Sequence, residues 1–544
     1  MKGKSALLAG VAAIALIASA QAGYAAKKTS DATSDTPATT TAVPAGPSNA
    51  ELAARIQALE DALQADESKA QGEHTRLSTL EQNFNYATWT FDNGRPVINS
   101  GDGRFSMAFR VRFQEDFANF IQDSPTAIPN AQYKDLSSGA VTRRAFFGVE
   151  GKAFNDFWYE FRYNAGGTNG SSGGTNGVTA TEGDSVMSIA RVAYTGIPHF
   201  RLNVDVIEPA FMLEGTTSSG QLMFLERPEI ENIAADTFGA GDSRRGIEVA
   251  FQYEGMILPG DNFVWTAAYT GAKTGASGAP NTNGSGVGHT NGGDEQSQFL
   301  SHLSYRFWSD GASNALIGGD FGTALYAGGG SYSLSFQDRP EIRVDGDRLI
   351  GATVGSATGQ TAGCGTPTAG NISCHATMFS GHAAGNLDNF YLAGEYSYFR
   401  ADRLNSAKVL DHPDFSGYMF EGSWVLTGEP KTYSPNATNN EIGGYGAPKV
   451  ASPFSLSGDS WGALELAARY SFTNLDWNRS TSGTGIAGGR EGIFDIGLNW
   501  YLNNEVKLQV HDSVVHVDKL NAAGGAVQIG QNLNIVGIRL QFTN

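Results

Sequence analysis

The sequence predicts an all-β fold: a transmembrane antiparallel β-barrel of about 16 strands with an N-terminal α-helical coiled coil. Three observations carry this prediction. Residues Phe105 to Gln114 alternate with a period of two, the side-chain period of a strand. Phe105, Met107, Phe109, Val111 and Phe113 form a face that suits hydrocarbon, while Ser106, Ala108, Arg110, Arg112 and Gln114 suit water. The chain holds 31 Phe, 19 Tyr, 8 Trp and 69 Gly, yet its mean hydropathy is only -0.25, because a barrel's wet face cancels its greasy one. Alternating segments are also separated by short turns and long loops in turn, an asymmetry that a soluble sandwich has no reason to keep.

Before the barrel, Lys2 and Lys4 precede an apolar stretch from Ala6 to Ala18 and then Ala20-Gln21-Ala22. This reads as a secretory signal peptide over 1–22, cleaved after Ala22. Residues 23–50, rich in Thr, Ser, Ala and Pro without periodicity, read as a disordered linker. In 51–86, Leu52, Ile56, Leu59 and Leu63 recur four and three apart, and Ala70, Leu77, Leu80 and Phe84 keep the frame. A seven-residue register argues for a self-associating coiled coil, although Asp66, Gly72 and Glu73 leave two short segments as open as one rod. No later apolar run reaches the ~20 residues of a transmembrane helix.

Within 87–544, strands are expected along Arg144–Lys152 and around Tyr159–Tyr163, Gly246–Tyr253, Trp265–Tyr269 and Leu303–Phe307. Tight turns fall at Asn155-Asp156, Pro259-Gly260-Asp261 and Ser309-Asp310-Gly311, and long Gly-rich loops at 166–183 and 273–295. The last segment alternates as well: Val536, Ile538, Leu540 and Phe542 share one face, and a closing terminal strand removes the open sheet edge that lipid would not tolerate. At roughly 27 residues per strand and connection, the stretch from Phe105 to the end makes about 16 strands, the size that leaves an aqueous channel.

The formal net charge of -18 argues against nucleic acid as a partner. Two cysteines, Cys364 and Cys374, lie in one Gly/Thr-rich stretch, and in an oxidising compartment they read as a loop disulfide. Neither a catalytic constellation nor a cofactor site stands out. Nine histidines are scattered, and His511 and His516 have opposite parity on one late strand, so no metal pair or triad is expected. Gly328-Gly329-Gly330 lacks the Lys and Ser/Thr of a phosphate loop.

Several stretches occur together in order: Gly94-Arg95-Pro96-Val97-Ile98, Arg143-Arg144 with Gly148-Val149-Glu150-Gly151, Glu208-Pro209-Ala210-Phe211, Phe224-Leu225-Glu226-Arg227, Arg339-Pro340-Glu341, Trp461-Gly462-Ala463 with Glu465 to Tyr470, and Gly497 to Tyr501. On these the chain resembles the phosphate-selective porins O and P of Gram-negative outer membranes. The resemblance implies a homotrimer of 16-stranded barrels in the lipid bilayer, a periplasmic coiled coil and a third loop folded into the pore. It also implies inward arginines and passage of small anions such as phosphate or polyphosphate.

Anion passage needs fixed positive charge along the lumen. Strand parity makes Arg110, Arg112, Arg162 and Arg201 pore-lining candidates, with Arg144 complicated by Phe146 on the same parity. Arg227, Arg244 and Arg245 join them from the inward loop, expected from about Pro209 to Asp242. Glu208, Glu226 and Glu229 are constriction-loop candidates. Two readings stay open: cations that line the pore, or arginines that merely pair with Glu150, Glu160, Glu208, Glu226 and Glu248. Glu208 stands where the family often carries lysine, so a general small-solute channel is an equal expectation. An outer-membrane barrel enzyme is the remaining alternative.

Overall fold

The computed structural model describes residues 48–92, 95–122, 134–167, 186–240, 244–273, 297–326, 333–355, 374–404, 410–434 and 443–544. The signal peptide, most of the linker and Cys364 lie outside these residues.

Helix α1 spans Asn49–Asn85. Its first turn is capped where the Ser48 hydroxyl accepts the Glu51 N–H at 3.3 Å. The apolar positions along it are exposed, from 44% at Leu52 to 69% at Leu59.

From the hairpin β1 (Thr88–Asp92) and β2 (Arg95–Asn99) the chain enters β3 (Ser106–Gln122). Ten strands follow in sequence order round the barrel as far as its two-thirds point: β4 (Gly139–Ala153), β5 (Phe157–Asn164), β6 (Val186–Tyr194), β7 (Phe200–Ile207), β8 (Arg244–Glu254), β9 (Asn262–Lys273), β10 (Ser297–Ser309), β11 (Asn314–Tyr326) and, after a small hairpin β12 (Ser333–Phe336) and β13 (Ala352–Gly355), β14 (Cys374–Leu387) and β15 (Phe390–Ala401). The short β16 (Arg403–Leu404) and β17 (Leu410–Asp411) precede β18 (Asp414–Val425). A second hairpin, β19 (Lys431–Ser434) and β20 (Gly444–Pro448), leads to β21 (Ala463–Trp477), β22 (Ile486–Tyr501), β23 (Val506–Asp518) and β24 (Asn532–Thr543). β24 pairs antiparallel with β3 from Leu533↔Gln122 to Thr543↔Arg112, which closes a 16-stranded barrel. Closure satisfies the backbone groups of both terminal strands, which an apolar medium could not. No described helix is long and apolar enough to cross a membrane.

Alternation sets the faces. On β3, Arg112, Gln114 and Asp116 are buried inward, while Phe109, Phe113 and Phe117 are exposed outward. Short turns at 154–156, 255–261, 310–313, 388–389 and 502–505 share one end of the barrel. Gly260 and Gly311 take the left-handed backbone there, at φ 78° and 99°. One connection at this end departs from the expected asymmetry. Residues 426–462 are long, and their hairpin β19–β20 turns inward, with Lys431 and Tyr445 buried. A carboxylate and a loop hydroxyl inside the barrel supply its partners: Lys431 pairs with Glu465 at 3.0 Å, and the Tyr445 carbonyl accepts from Thr217 at 2.8 Å.

From the opposite end two segments fold in. One follows β7 and contains α2 (Glu229–Phe238); the other joins β12 to β13. Phe211, Ile233 and Phe238 of the first pack against Phe336, Ile342, Val344 and Ile350 of the second and against wall residues such as Phe399, Phe415 and Ile493. The apolar core therefore lies inside the barrel. Arg339-Pro340-Glu341 belongs to the second segment, an inward fold that no periodicity in those residues announces.

Candidate functional site

An inward loop buries its own backbone, so each N–H and C=O needs a partner on the wall. Residues 208–240 find several there: the wall carboxylate Asp320 accepts the Met212 N–H at 2.8 Å, and Gln114 donates to the Ser219 carbonyl at 3.0 Å. Arg112 donates to the Ser218 and Ser219 hydroxyls at 2.7 and 2.6 Å. Gly220 makes that approach possible, because a Cβ there would sit 2.9 Å from the Arg112 Nε. Arg469 of β21 donates to Glu214 at 3.1 Å, and Arg227 donates to the Glu214 and Thr217 carbonyls at 2.9 and 2.7 Å.

Glu226 is the anchor of the loop's second half. It accepts from Arg143, Arg144 and Arg539 at 2.7, 3.1 and 3.1 Å. Two successive arginines reach one carboxylate because the β3–β4 register shifts between Gln114 and Glu115, opposite them. Burial alone would push the Glu226 carboxyl up, but Arg143, Arg144, Arg539 and Arg343 hold it well below the usual carboxylate range.

Beside the loop, at the short-turn end, a hollow of about 340 Å³ is lined by Arg110, Arg112, Ser218, Gln221, Lys449 and Lys507, with Glu505 the acid on its wall. A narrower extension of about 40 Å³ shares Arg110, Arg112 and Ser218 and adds Arg162, Arg191, Glu160 and Glu208. Phe146 packs against two of these cations: the Arg112 and Arg162 guanidinium carbons stand 5.5 and 4.7 Å from its ring centre. Its shared parity with Arg144 is thus a packing device for the cations, not a conflict with an inward face.

The other sequence candidates are dispersed. Arg110 pairs with Glu150 at 2.7 Å and Arg162 with Glu208 at 2.8 Å, both at the hollow. Arg144 is sealed against Glu226 and Gln114. Arg201 is buried against Glu248 at 3.1 Å and lines neither the hollow nor its extension. Arg244 is buried and donates to the Asp236 carbonyl at 3.2 Å, whereas Arg245 is exposed, as is Ile247 two residues on. The Glu229 N–H is held by Glu341 at 3.2 Å within the packed loops. Cys374 begins β14, and the expected disulfide falls outside the described residues through Cys364.

Three lining cations escaped the sequence reading. Lys507 and Arg191 carried a signal, since each sits opposite an apolar parity in Lys507-Leu508-Gln509-Val510 and Ala190-Arg191-Val192. Lys449 follows the inward hairpin and has no periodic context. The arrangement sets fixed guanidinium and ammonium groups beside hydroxyls and amides, the chemistry by which a lumen can bind a small anion and release it.

The sequence profile of the phosphate-selective porin O and P family matches residues 108–543. No curated protein matches the chain. Among solved structures it is similar to an anion-selective porin from Comamonas acidovorans (11% identity, 81% of this chain and 100% of that one, TM-score 0.43). It is also similar to the outer membrane channel DcaP of Acinetobacter baumannii (9%, 81% and 97%, TM-score 0.39). A third is OmpF of Salmonella typhi in complex with daunomycin (10%, 84% and 100%, TM-score 0.40).

Proposed function

This chain belongs to the phosphate-selective porin O and P family, and from that premise we propose that it is a passive outer-membrane channel for small anions, phosphate among them, in a Gram-negative cell. The observation that carries the anion reading is the hollow where Arg110, Arg112, Lys449 and Lys507 meet with Glu505 as the opposing acid. Small solutes pass such a lining without covalent chemistry, so the reading is a channel and not an enzyme.

Planar-bilayer recording in a salt gradient tests it. The reversal potential should report anion preference, and added phosphate should reduce chloride current by competing for the same cations. A cation-selective reversal potential would overturn the reading. The pairing of Arg110 with Glu150 and of Arg162 with Glu208 favours a second reading, a general small-solute channel. Equal permeability to anions and cations, with no phosphate block, is its signature.

We propose further that three copies assemble, with α1 as a periplasmic coiled coil over residues 51–86, after cleavage at Ala22 and a flexible linker over 23–50. The exposed seam of Leu52, Ile56, Leu59, Leu63, Leu77 and Leu80 supports it, since a lone helix with such a stripe is marginal in water. Crosslinking through a cysteine placed at Leu59 should trap trimers. Monomers alone, at any protein concentration, would count against the assembly.

A further inference from the structure

Three neighbouring strands on the wall away from the cationic hollow bring together His302 of β10, Asp320 of β11 and His382 of β14. Their register explains the meeting. His302 lies directly across from Asp320, and His382 across from Gly318, two residues along the same face. Gly318 is needed there, because a Cβ would meet the His382 Nε2 at 2.2 Å. All three side chains face inward, at 1%, 5% and 6% exposure.

We propose that His302, Asp320 and His382 form a binding site for one divalent transition-metal ion of the zinc class. Each residue offers a ligand atom, and these atoms all lie within 4.8 Å of one another. The Asp320 carboxylate is 2.7 Å from the His302 Nδ1 and 3.4 Å from the His382 Nδ1. Ligands on a tetrahedral ion with bonds of ~2.0 Å stand about 3.3 Å apart, so small side-chain rotations suffice. Two imidazoles with one carboxylate select a borderline-soft ion; calcium and magnesium prefer all-oxygen shells.

A second observation points the same way. The buried His382 Nδ1, 3.4 Å from Asp320 and 3.8 Å from the Glu395 Oε1, lacks a well-formed hydrogen bond, and so does that Glu395 oxygen. A buried nitrogen lone pair left without a partner is costly, and a metal ion is one partner that satisfies it. The supporting contacts a ligand carboxylate needs are present too: Asp320 accepts from the Met212 N–H at 2.8 Å and from the Ser380 hydroxyl at 2.7 Å. Met212 opens the inward loop, so the ion would pin the loop to this wall.

The test uses the full mature protein in detergent, stripped with chelator, then dialysed against zinc or calcium and assayed by elemental analysis. One zinc per chain is expected, with no calcium retained and a melting temperature raised by zinc. A second histidine group supplies the control: Asp402 lies 3.5 Å from His375 and 2.6 Å from His412 and is more exposed. Zinc should be lost in a His302→Ala/His382→Ala variant and kept in a His375→Ala/His412→Ala variant. The reverse pattern, or no zinc above background in the unaltered protein, overturns the proposal and leaves a hydrogen-bonded His–Asp cluster. If the first variant does not fold, cobalt decides on the unaltered chain: absorption bands of four-coordinate Co(II) with nitrogen and oxygen ligands support the site, and their absence refutes it.

Discussion

The wall from β8 to β15 and the wall from β21 through β24 to β3 hold the same inward loop by opposite means. On the first, carboxylates accept from the start of the loop: Glu248 from the Ala210 N–H at 3.0 Å, Asp320 from Met212 at 2.8 Å and Glu395 from Leu213 at 3.2 Å. On the second, cations and amides donate to carbonyls further along. Gln114 donates to Ser219, Gln541 to Gly220, Lys507 to Leu222, Asn499 and Gln509 to Met223, Arg539 to Leu225 and Arg469 to Glu226. A backbone that turns across a lumen shows donors to one side and acceptors to the other. At the loop backbone the two walls therefore differ: carboxylates meet its N–H groups on one, and cations and amides meet its C=O groups on the other. Arg110, Arg112 and Lys507 of the second wall also line the hollow.

The sharpest way to break this contrast is to remove the carboxylate that the donor wall shares. Glu226→Ala strands Arg143, Arg144 and part of the Arg539 network in a buried setting. Losing one partner of such a group costs about 3–5 kcal/mol. Urea unfolding in detergent should show that loss, and a midpoint within error of the unaltered protein would deny Glu226 its anchoring role. On the acid wall the effect should be smaller. Asp320→Asn keeps an acceptor but drops its charge, and about 1.5 kcal/mol is expected. The inward loop should then loosen, read as added open-channel current noise; quiet traces would mean the acid wall is dispensable.

Charge reversal in the hollow sharpens the comparison without touching the anchor. Arg112→Glu should lower the anion-to-cation permeability ratio about tenfold, equivalent to about 1.4 kcal/mol. The same change at Arg201, which is buried and lines neither the hollow nor its extension, should move the ratio far less in any protein that folds. The smallest effect is with pH. Because the Glu226 carboxyl lies well below its unfolded value of about 4.3, its contribution is complete above that value and fades only as pH falls through the lower folded one. Loop anchoring should therefore survive at pH 4, and current noise that rises between pH 6 and 4 would show the tether to be weaker than its geometry suggests.

Much of this was legible in the residues. Alternation from Phe105 to Gln114 set Arg110 and Arg112 on the inner face, and the same rule served Glu160 and Arg162. His511 and His516 do face opposite ways. The reading failed where alternation was interrupted or silent. Arg143 turns inward only through the register shift between β3 and β4. The hairpin after β18 enters from the end where only tight turns were expected. His302, Asp320 and His382 stand far apart in the chain and share no local pattern, so no spacing rule could collect them.

The division has a physical cause. A strand's faces follow from a two-residue period and the contrast between lipid and water, and both act on neighbours in the chain. Membrane class, strand directions and the wet or greasy side of each residue are therefore properties of the residues themselves. Which inward groups meet depends on the stagger between strands and on two folded-in loops and a hairpin that fill the lumen. Those relations are set between strands: the histidine cluster by the register of β10, β11 and β14, the shared Glu226 and the cationic hollow where β24 reaches β3.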